Sequence, residues 1–299
     1  MQDNSKRVKA IKKMKENTYQ THHLDRLAKP YFIWLLIFAV LPMLILFVLM
    51  FLDTEGLKLA GCHFTFSNFS SLLEKSIIMA FLNSLKYSLL TTVICLFFGY
   101  LIAYYLHRSH FKNKYLILLL LVLPMWTNIL LRIEALSNMF QAHNIITNML
   151  GITGFNILGT DLAIILGMVF TYLPFVILPI YTSLEKIDPS LEEAALDLGM
   201  TDFKKFWTVI FPLTTSGMVS GAIMVLLPCL SGFAIPKILG AGNILLIGNI
   251  IEQDFSSMSY NIGSILAVVM LVIILGAITI VNKFDKEGET LLWHMKLQP

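Results

Sequence analysis

The chain has 299 residues, 57% of them hydrophobic and 14% charged, which is too apolar for a water-soluble domain, where charged residues make up about 25%. The formal net charge of +3 says less than its distribution: the charges cluster between long apolar runs, as in a protein that crosses a bilayer repeatedly. Cys62, Cys95 and Cys229 lack metal-type spacing and two of them lie in apolar stretches, which points to free thiols and argues against a disulfide framework.

A basic leader of about thirty residues precedes the first apolar run, and no small-residue cleavage site follows that run, so it reads as an uncleaved anchor. About 20 apolar residues cross the hydrocarbon core as a helix. Six runs meet or approach that length: Tyr31–Leu52, Tyr87–Leu106, Tyr115–Leu131, Leu162–Leu184, Phe206–Pro236 and Ile262–Asn282. The expected fold is an all-α polytopic membrane protein with six transmembrane helices. The expected organisation is a basic tail over 1–30, a membrane domain over 31–282 with an internal loop at 185–212, and a second tail over 283–299.

Lys and Arg set the orientation. The N-terminal tail, Arg108, Lys112 and Lys114 of the second–third connection, Lys186, Lys204 and Lys205 of the fourth–fifth connection, and the C-terminal tail hold nearly all of them. The opposite face holds Lys58, Lys75 and Lys237. The positive-inside rule therefore puts both termini and the 185–212 loop in the cytoplasm. The outward segments carry Asp53, Glu55, Glu74, Glu134, Asp161, Glu252 and Asp254. That weak negative field would favour cations, although avoidance of positive charge outside accounts for it as well.

Pro42, Pro124, Pro174, Pro179, Pro212, Pro228 and Pro236 punctuate the spans, each removing a backbone donor and kinking or ending a helix. Gly217 and Gly221 form a small-xxx-small stripe suited to close helix packing. Two outward segments are long, 134–161 and 233–261, and whether they form a gate is open at this point. The apolar stretch Ile238–Ile251 is too short to span easily and suggests a re-entrant or interface-lying helix. Lys86, just before the second run, reads as a snorkelling side chain.

The 185–212 loop is the most structured part of the sequence. Asp188 can cap a helix with Pro189 at its first position, or Ser190 can cap one with Glu193 three residues later. Glu192 and Glu193 suit the first turn, and Gly199 suits a left-handed C-terminal position. Thr201 or Asp202 can begin a second helix. Leu191, Ala195 and Leu198 fall on one apolar face, which could fill a groove on a partner.

Several chemistries lack their parts. No Gly-Lys pair occurs anywhere in the sequence, so a P-loop is excluded and ATP hydrolysis would need a partner. His22, His23, His63, His107, His110, His143 and His294 all lie outside the expected spans, leaving no intramembrane His for a protease or a metal site. The basic N-terminal arm suits anionic lipid, and no nucleic acid is expected. A secondary transporter would show inverted repeats and ionisable residues at the midplane; neither is visible.

The run Glu193-Ala194-Ala195-Leu196-Asp197-Leu198-Gly199, followed by Phe206, Pro212-Leu213 and Gly217, closely resembles the EAA loop of bacterial ABC-importer permeases. The resemblance implies a type I importer permease that is not itself an enzyme, with Glu193, Ala194, Ala195, Leu196, Asp197 and Gly199 in a coupling helix that docks on a separate ATPase. It implies as partners a second permease subunit, two copies of that ATPase and an extracytoplasmic solute-binding protein, and no cofactor or metal. Ser216 stands where the family often has Pro, a minor departure.

Two stretches resemble the spermidine/putrescine branch of that family, its PotB-type permeases in particular: Leu123-Pro124-Met125-Trp126-Thr127-Asn128 with Arg132, and Gly232-Phe233-Ala234-Ile235-Pro236-Lys237 continuing to Ile247-Gly248-Asn249-Ile250-Ile251 and Phe255. With the EAA loop, the likeness runs from about residue 80 to residue 282. The family's Gly-Glu-Phe is Ser231-Gly232-Phe233 here, and its Thr-Tyr-Ala-Trp is Ile133-Glu134-Ala135-Leu136. Ferric, thiosulfate and phosphonate importers share the architecture, so the departures leave the solute open. The candidate substrate-pathway residues are Trp126, Asn128, Arg132, Glu134, Asn249 and Tyr260. Trp126 could hold an ammonium over its ring, and the Arg132/Glu134 pair at a span end is a functional candidate or a self-satisfied pair.

Overall fold

The computed structural model describes residues 30–53, 63–141 and 156–296, with side chains to residue 281. The basic tail, Cys62 and half of the outward segment 134–161 lie outside the described residues. Among the described residues, four helices are long and apolar enough to cross a membrane, or six if each of two bent pairs counts as one span.

Helix α1, Pro30–Leu49, is uncharged and almost wholly exposed, touching the rest of the chain mainly at Leu49 and along the last helix. A two-stranded antiparallel ribbon follows, β1 Leu52–Asp53 against β2 His63–Phe64. Asn68 ties it down by donating to the Leu52 carbonyl at 3.0 Å. Helix α2, Lys75–Arg108, begins twelve residues before the uncharged run. Lys86 is inside α2 with its side chain half exposed: its ammonium reaches Asp161 at 2.9 Å and lies 4.9 Å from the Tyr87 ring centre. An ion partner and an aromatic face help to satisfy the charge there, so the helix can run through it.

The third expected span is broken. Helix α3, Lys114–Val122, passes into one 3-10 turn at Leu123–Trp126, and helix α4, Ile129–Phe140, leaves at 94°. Pro124 removes a donor, Thr127 is extended (ψ 155°), and Asn128 caps α4 by accepting from Leu130 N at 2.8 Å. Helix α5, Asp161–Glu185, starts under the Thr160 cap and carries Pro174 and Pro179 without a break. The loop region holds α6, Pro189–Asp197, and α7, Asp202–Leu213; after a 61° bend comes α8, Thr215–Ser231. The fifth run is therefore also two pieces, and its last residues leave the span: Gly232 is extended (ψ 138°) and Pro236 belongs to a separate short helix, α9, Ala234–Leu239. The stretch Ile238–Ile251 splits between α9 and α10, Ile247–Ser256, at a turn where Ala241 and Gly242 have positive φ. Helix α11, Tyr260–Lys296, continues through most of the segment expected as a C-terminal tail.

Two π-turns explain how Pro42 and Pro212 sit within their helices. Leu36–Val40 precedes Pro42, and Phe206–Ile210 precedes Pro212. A proline ring crowds the carbonyl four residues earlier and leaves it without a donor. The wider turn absorbs that conflict, with Leu41 N–H reaching Leu36 O and Phe211 N–H reaching Phe206 O.

The core is the junction of α2, α5 and α8. Ile164, Met168, Val176, Ile177 and Ile180 of α5 are buried against Cys95 and Ala103 of α2 and Val225 and Cys229 of α8. Glycines set the spacing. A Cβ at Gly99 would lie 2.8 Å from Val176 Cγ1, one at Gly221 would lie 3.2 Å from Val176 Cα, and one at Gly217 would lie 2.6 Å from the Pro179 carbonyl oxygen. The Gly217/Gly221 stripe thus packs on α5, as close helix approach requires. A second cluster joins Ile77 of α2, Leu226 and Leu230 of α8, Ile247 of α10, and Leu266 and Met270 of α11.

Asp254 on α10 is an exception to this apolar packing: its Oδ2 is buried without a hydrogen-bond partner. Burial, reinforced by nearby Glu74, raises its carboxyl above the ordinary Asp range.

Gly217→Val forces a methyl onto backbone and is expected to destabilise the fold by about 1–3 kcal/mol, read as a lower melting temperature of detergent-solubilised protein. Asp254→Asn has the opposite sign. The folded chain holds the Asp254 proton more tightly than the unfolded one, so stability falls as pH rises from the ordinary carboxylate pKa through the raised one. The amide variant should melt higher than the parent at pH 7, with the gap closing as pH is lowered.

Candidate functional site

The 185–212 region folds from local signals. Asp188 caps α6 by accepting from Ser190 N at 3.0 Å with Pro189 in the first turn, and that bonding holds its carboxyl below the usual Asp range. Gly199, at φ +74°, ends the helix: its N–H reaches Leu196 O at 2.8 Å while Met200 N–H reaches Ala195 O at 3.1 Å. These two bonds form the left-handed closure that satisfies the last carbonyls. Thr201 then caps α7 by accepting from Lys204 N at 3.3 Å. Of the alternatives open in the sequence, the structure takes Asp188 and Thr201.

The candidate coupling residues lie together on this helix–turn–helix. Ala195 is 3% exposed and faces inward, whereas Glu193, Ala194, Leu196, Asp197 and Gly199 are exposed. The apolar face expected for Leu191, Ala195 and Leu198 is divided: Leu191 and Leu198 stay exposed, the latter at 78%, joined by exposed Phe203 and Trp207 of α7. This corner offers a rigid surface of alanine, leucine and aromatic carbon edged by carboxylates.

The sequence motif singles out Glu193 and gives Glu192 only a place in the first turn, yet Glu192 is the one turned inward. Its carboxylate bonds the Arg108 guanidinium at the end of α2 and lies 3.8 Å from Lys205 Nζ on α7, which itself bonds Asp202 at 2.9 Å. Lys205 and Arg108 counted in the sequence only as positive-inside charges, and no spacing rule links residues so far apart. Tyr115 similarly donates to the Glu185 carboxylate across α3 and α5.

The candidate pathway residues gather in part. Trp126, Asn128, Arg132 and Glu134 surround the 94° break between α3 and α4, and α9 packs on α4. A cleft of about 380 Å³ there is lined by Ile129, Leu130, Tyr172, Pro228, Phe233 and Pro236 among others. Trp126 is 88% exposed, and Asn128 uses its side-chain oxygen as a helix cap. Arg132 and Glu134 do not satisfy each other: Glu134 is exposed, and Arg132 Nε and Nη1 are buried without partners. Asn249 is 5% exposed, accepting from Leu246 N at 3.2 Å and donating to Phe233 O at 2.8 Å, so its amide braces the α8–α10 connection. Tyr260 stands apart at the start of α11, its ring 6.0 Å from that of Phe255. Nearby, Lys237 of α9 bonds Glu252 of α10 at 2.8 Å. Among the described residues, no group of three or more His, Cys, Asp or Glu could hold a metal ion.

Comparison with known proteins gives this arrangement a context. The family described as "Binding-protein-dependent transport system inner membrane component" matches residues 95–286. The spermidine/putrescine transport system permease protein PotB of Haemophilus influenzae is 38% identical over 229 residues, covering 75% of this chain and 80% of that protein. The protein of the same name from Escherichia coli is 36% identical over 227 residues, covering 74% and 82%. A bacterial ABC transporter involved in the import of the acidic polysaccharide alginate superposes with a TM-score of 0.74 over 92% of this chain and 99% of that chain, at 18% identity. The chain belongs to the family of binding-protein-dependent transport system inner membrane components, the multi-pass permease subunits of ABC importers.

Proposed function

We propose that this permease carries polyamines, with spermidine and putrescine the first solutes to consider. The observation that carries this reading is its identity of 36–38% to proteins named spermidine/putrescine permeases, over about three quarters of the chain. The slightly acidic outward segments and exposed Trp126 suit a cation. In this reading each bent pair, α3–α4 and α7–α8, counts as one span. The bundle then has six spans, a membrane domain over 31–282, and both termini in the cytoplasm. Trp126, Asn128, Arg132, Glu134, Asn249 and Tyr260 remain the candidate residues of the path, Asn249 as a brace for its wall.

The same reading makes the α6–α7 corner the contact for a separate ATPase. Its support is a capped, glycine-closed helix that leaves Ala194, Leu196 and Leu198 exposed, where a groove on a partner would cover them. A second permease would complete the path, an extracytoplasmic binding protein would deliver solute, and ATP-driven closure of two ATPase copies would switch access. Glu193, Asp197 and Gly199 then serve at or beside the docking face.

One observation favours a second reading, in which the solute is anionic. Arg132 has guanidinium nitrogens buried without partners beside the break in the third span, and Gly232 and Glu134 depart from the polyamine pattern. A protein named a probable sulfate permease from Helicosporidium is 29% identical over 196 residues.

Uptake of radiolabelled spermidine and putrescine by cells lacking this chain should be restored by its expression and abolished when ATP is depleted. Restored sulfate or thiosulfate uptake with no polyamine uptake would establish the second reading instead. Ala194→Asp places a charge in the docking face and should lower ATP-dependent uptake about tenfold or more with an unchanged amount of permease in the membrane. Parent-level uptake by that variant would remove the loop from the mechanism.

A further inference from the structure

Glu192 and Glu193 are neighbours with opposite surroundings. Glu193 is exposed, whereas the Glu192 side chain is 16% exposed and its Oε2 is shared by Arg108 of α2 and Lys205 of α7. Lys205 is 7% exposed in its side chain and is held by Asp202 as well. One carboxylate thus joins α2, α6 and α7, while along the backbone α6 is held to its neighbours α5 and α7 only by the short links at 186–188 and 198–201. Glu192 and Lys205 are largely enclosed, whereas Arg108 reaches them from a partly exposed position, so the pair is better shielded than an ordinary surface pair.

From Arg108 the contacts continue without a gap. Its guanidinium carbon lies 5.5 Å from the Tyr104 ring centre, and that ring meets Phe206 edge-on at 5.2 Å. Tyr100 packs against Phe206 and Phe211, and its hydroxyl is 3.0 Å from Thr214 Oγ1. Thr214 is fully buried at the 61° bend, where its hydroxyl also reaches Phe211 O at 3.0 Å. A hydroxyl bonded back to the preceding turn favours a bent helix.

We propose that Glu192 is a positioning residue for energy coupling: it clamps α6 to α2 and α7, so that displacement of the docking face reaches the α7–α8 bend. The proposal rests on the reading of that face as the ATPase contact. It assigns the two adjacent glutamates separate tasks, Glu193 toward the partner and Glu192 toward this chain's own helices. Removing the Glu192 charge should leave the partner bound but let the docking helix swing on its two links.

The test uses the permease assembled with its ATPase in proteoliposomes. A reporter, Ser216→Cys, sits at an exposed position just past the bend. Cys62 is replaced by Ser, and Cys95 and Cys229 are buried. The readout is the labelling rate with a water-soluble thiol reagent, with and without ATP plus vanadate, beside ATPase co-purification and ATP hydrolysis. In the parent, nucleotide is expected to change the labelling rate by about fivefold or more. Glu192→Gln should cut that change to less than about twofold, with ATPase retention and hydrolysis close to parental. Arg108→Gln should do the same, and the double variant should be no worse than either single one. Should Glu192→Gln fail to assemble, Glu192→Asp keeps the charge and is expected to give an intermediate response. A full nucleotide response in Glu192→Gln, or loss of ATPase binding in proportion to the lost response, would overturn the proposal. A parent that binds no ATPase, or shows no nucleotide response, refutes the coupling reading itself and this proposal with it.

Discussion

Val176 stands between two glycines, Gly99 of α2, where a Cβ would clash, and Gly221 of α8, where a Cβ would fit only tightly. That contact brings three helices together at one level of α5, and the rest of the described structure is arranged around it. In lipid the apolar side chains gain nothing by leaving water, so association depends on how closely backbones approach and how well surfaces interlock. Gly217 extends the same seam toward Ser183, and Gly167 extends it toward Leu239, linking α5 to the short helix α9. The cleft and the loop corner therefore adjoin a common set of packed helices.

Around that seam, irregular backbone marks the places where the chain changes direction. The 94° break uses an extended Thr127 and the Asn128 cap; the 61° bend uses Thr214, whose hydroxyl bonds Ile210 O and Phe211 O. In both cases a side chain takes up the carbonyl or N–H groups that the interruption frees, as non-helical backbone at membrane depth demands. Lys86 with Asp161 and Lys237 with Glu252 satisfy charges in the same local manner.

The elements legible in the sequence were those written in local rules. The apolar runs located α1, α5 and the start of α11 to within a few residues, because length and lack of charge suffice for that. The Asp188-Pro189 cap and Gly199 could be read for a similar reason: capping depends on residues two to five apart. Pro124 and Pro212 marked the neighbourhood of the two bends but not their angles, since hydropathy is blind to direction and Phe206–Pro236 is uncharged through its whole length. The ion partner of Lys86 lies 75 residues away, beyond the reach of a local rule, and Ala195 turned inward while Leu191 and Leu198 did not because α7, and not α6 alone, decides which face is covered. The roles of Glu192, Arg108 and Lys205 follow from the meeting of three helices, which no pattern within any one of them encodes.

The π-turn at Phe206–Ile210 has one more consequence. Such a turn is an α-helix holding one additional residue, and one residue corresponds to a rotation of about 100°. The part of α7 before the turn can thus present Lys205 to the loop corner while the part after it presents Ile210, 1% exposed, to the bundle, the two faces being set independently. Deleting a single residue between 206 and 210 would restore an ordinary helix and turn one of those faces away from its neighbours. The turn acts as a phase adjuster, letting the loop corner and the membrane core each keep the register that its own packing demands.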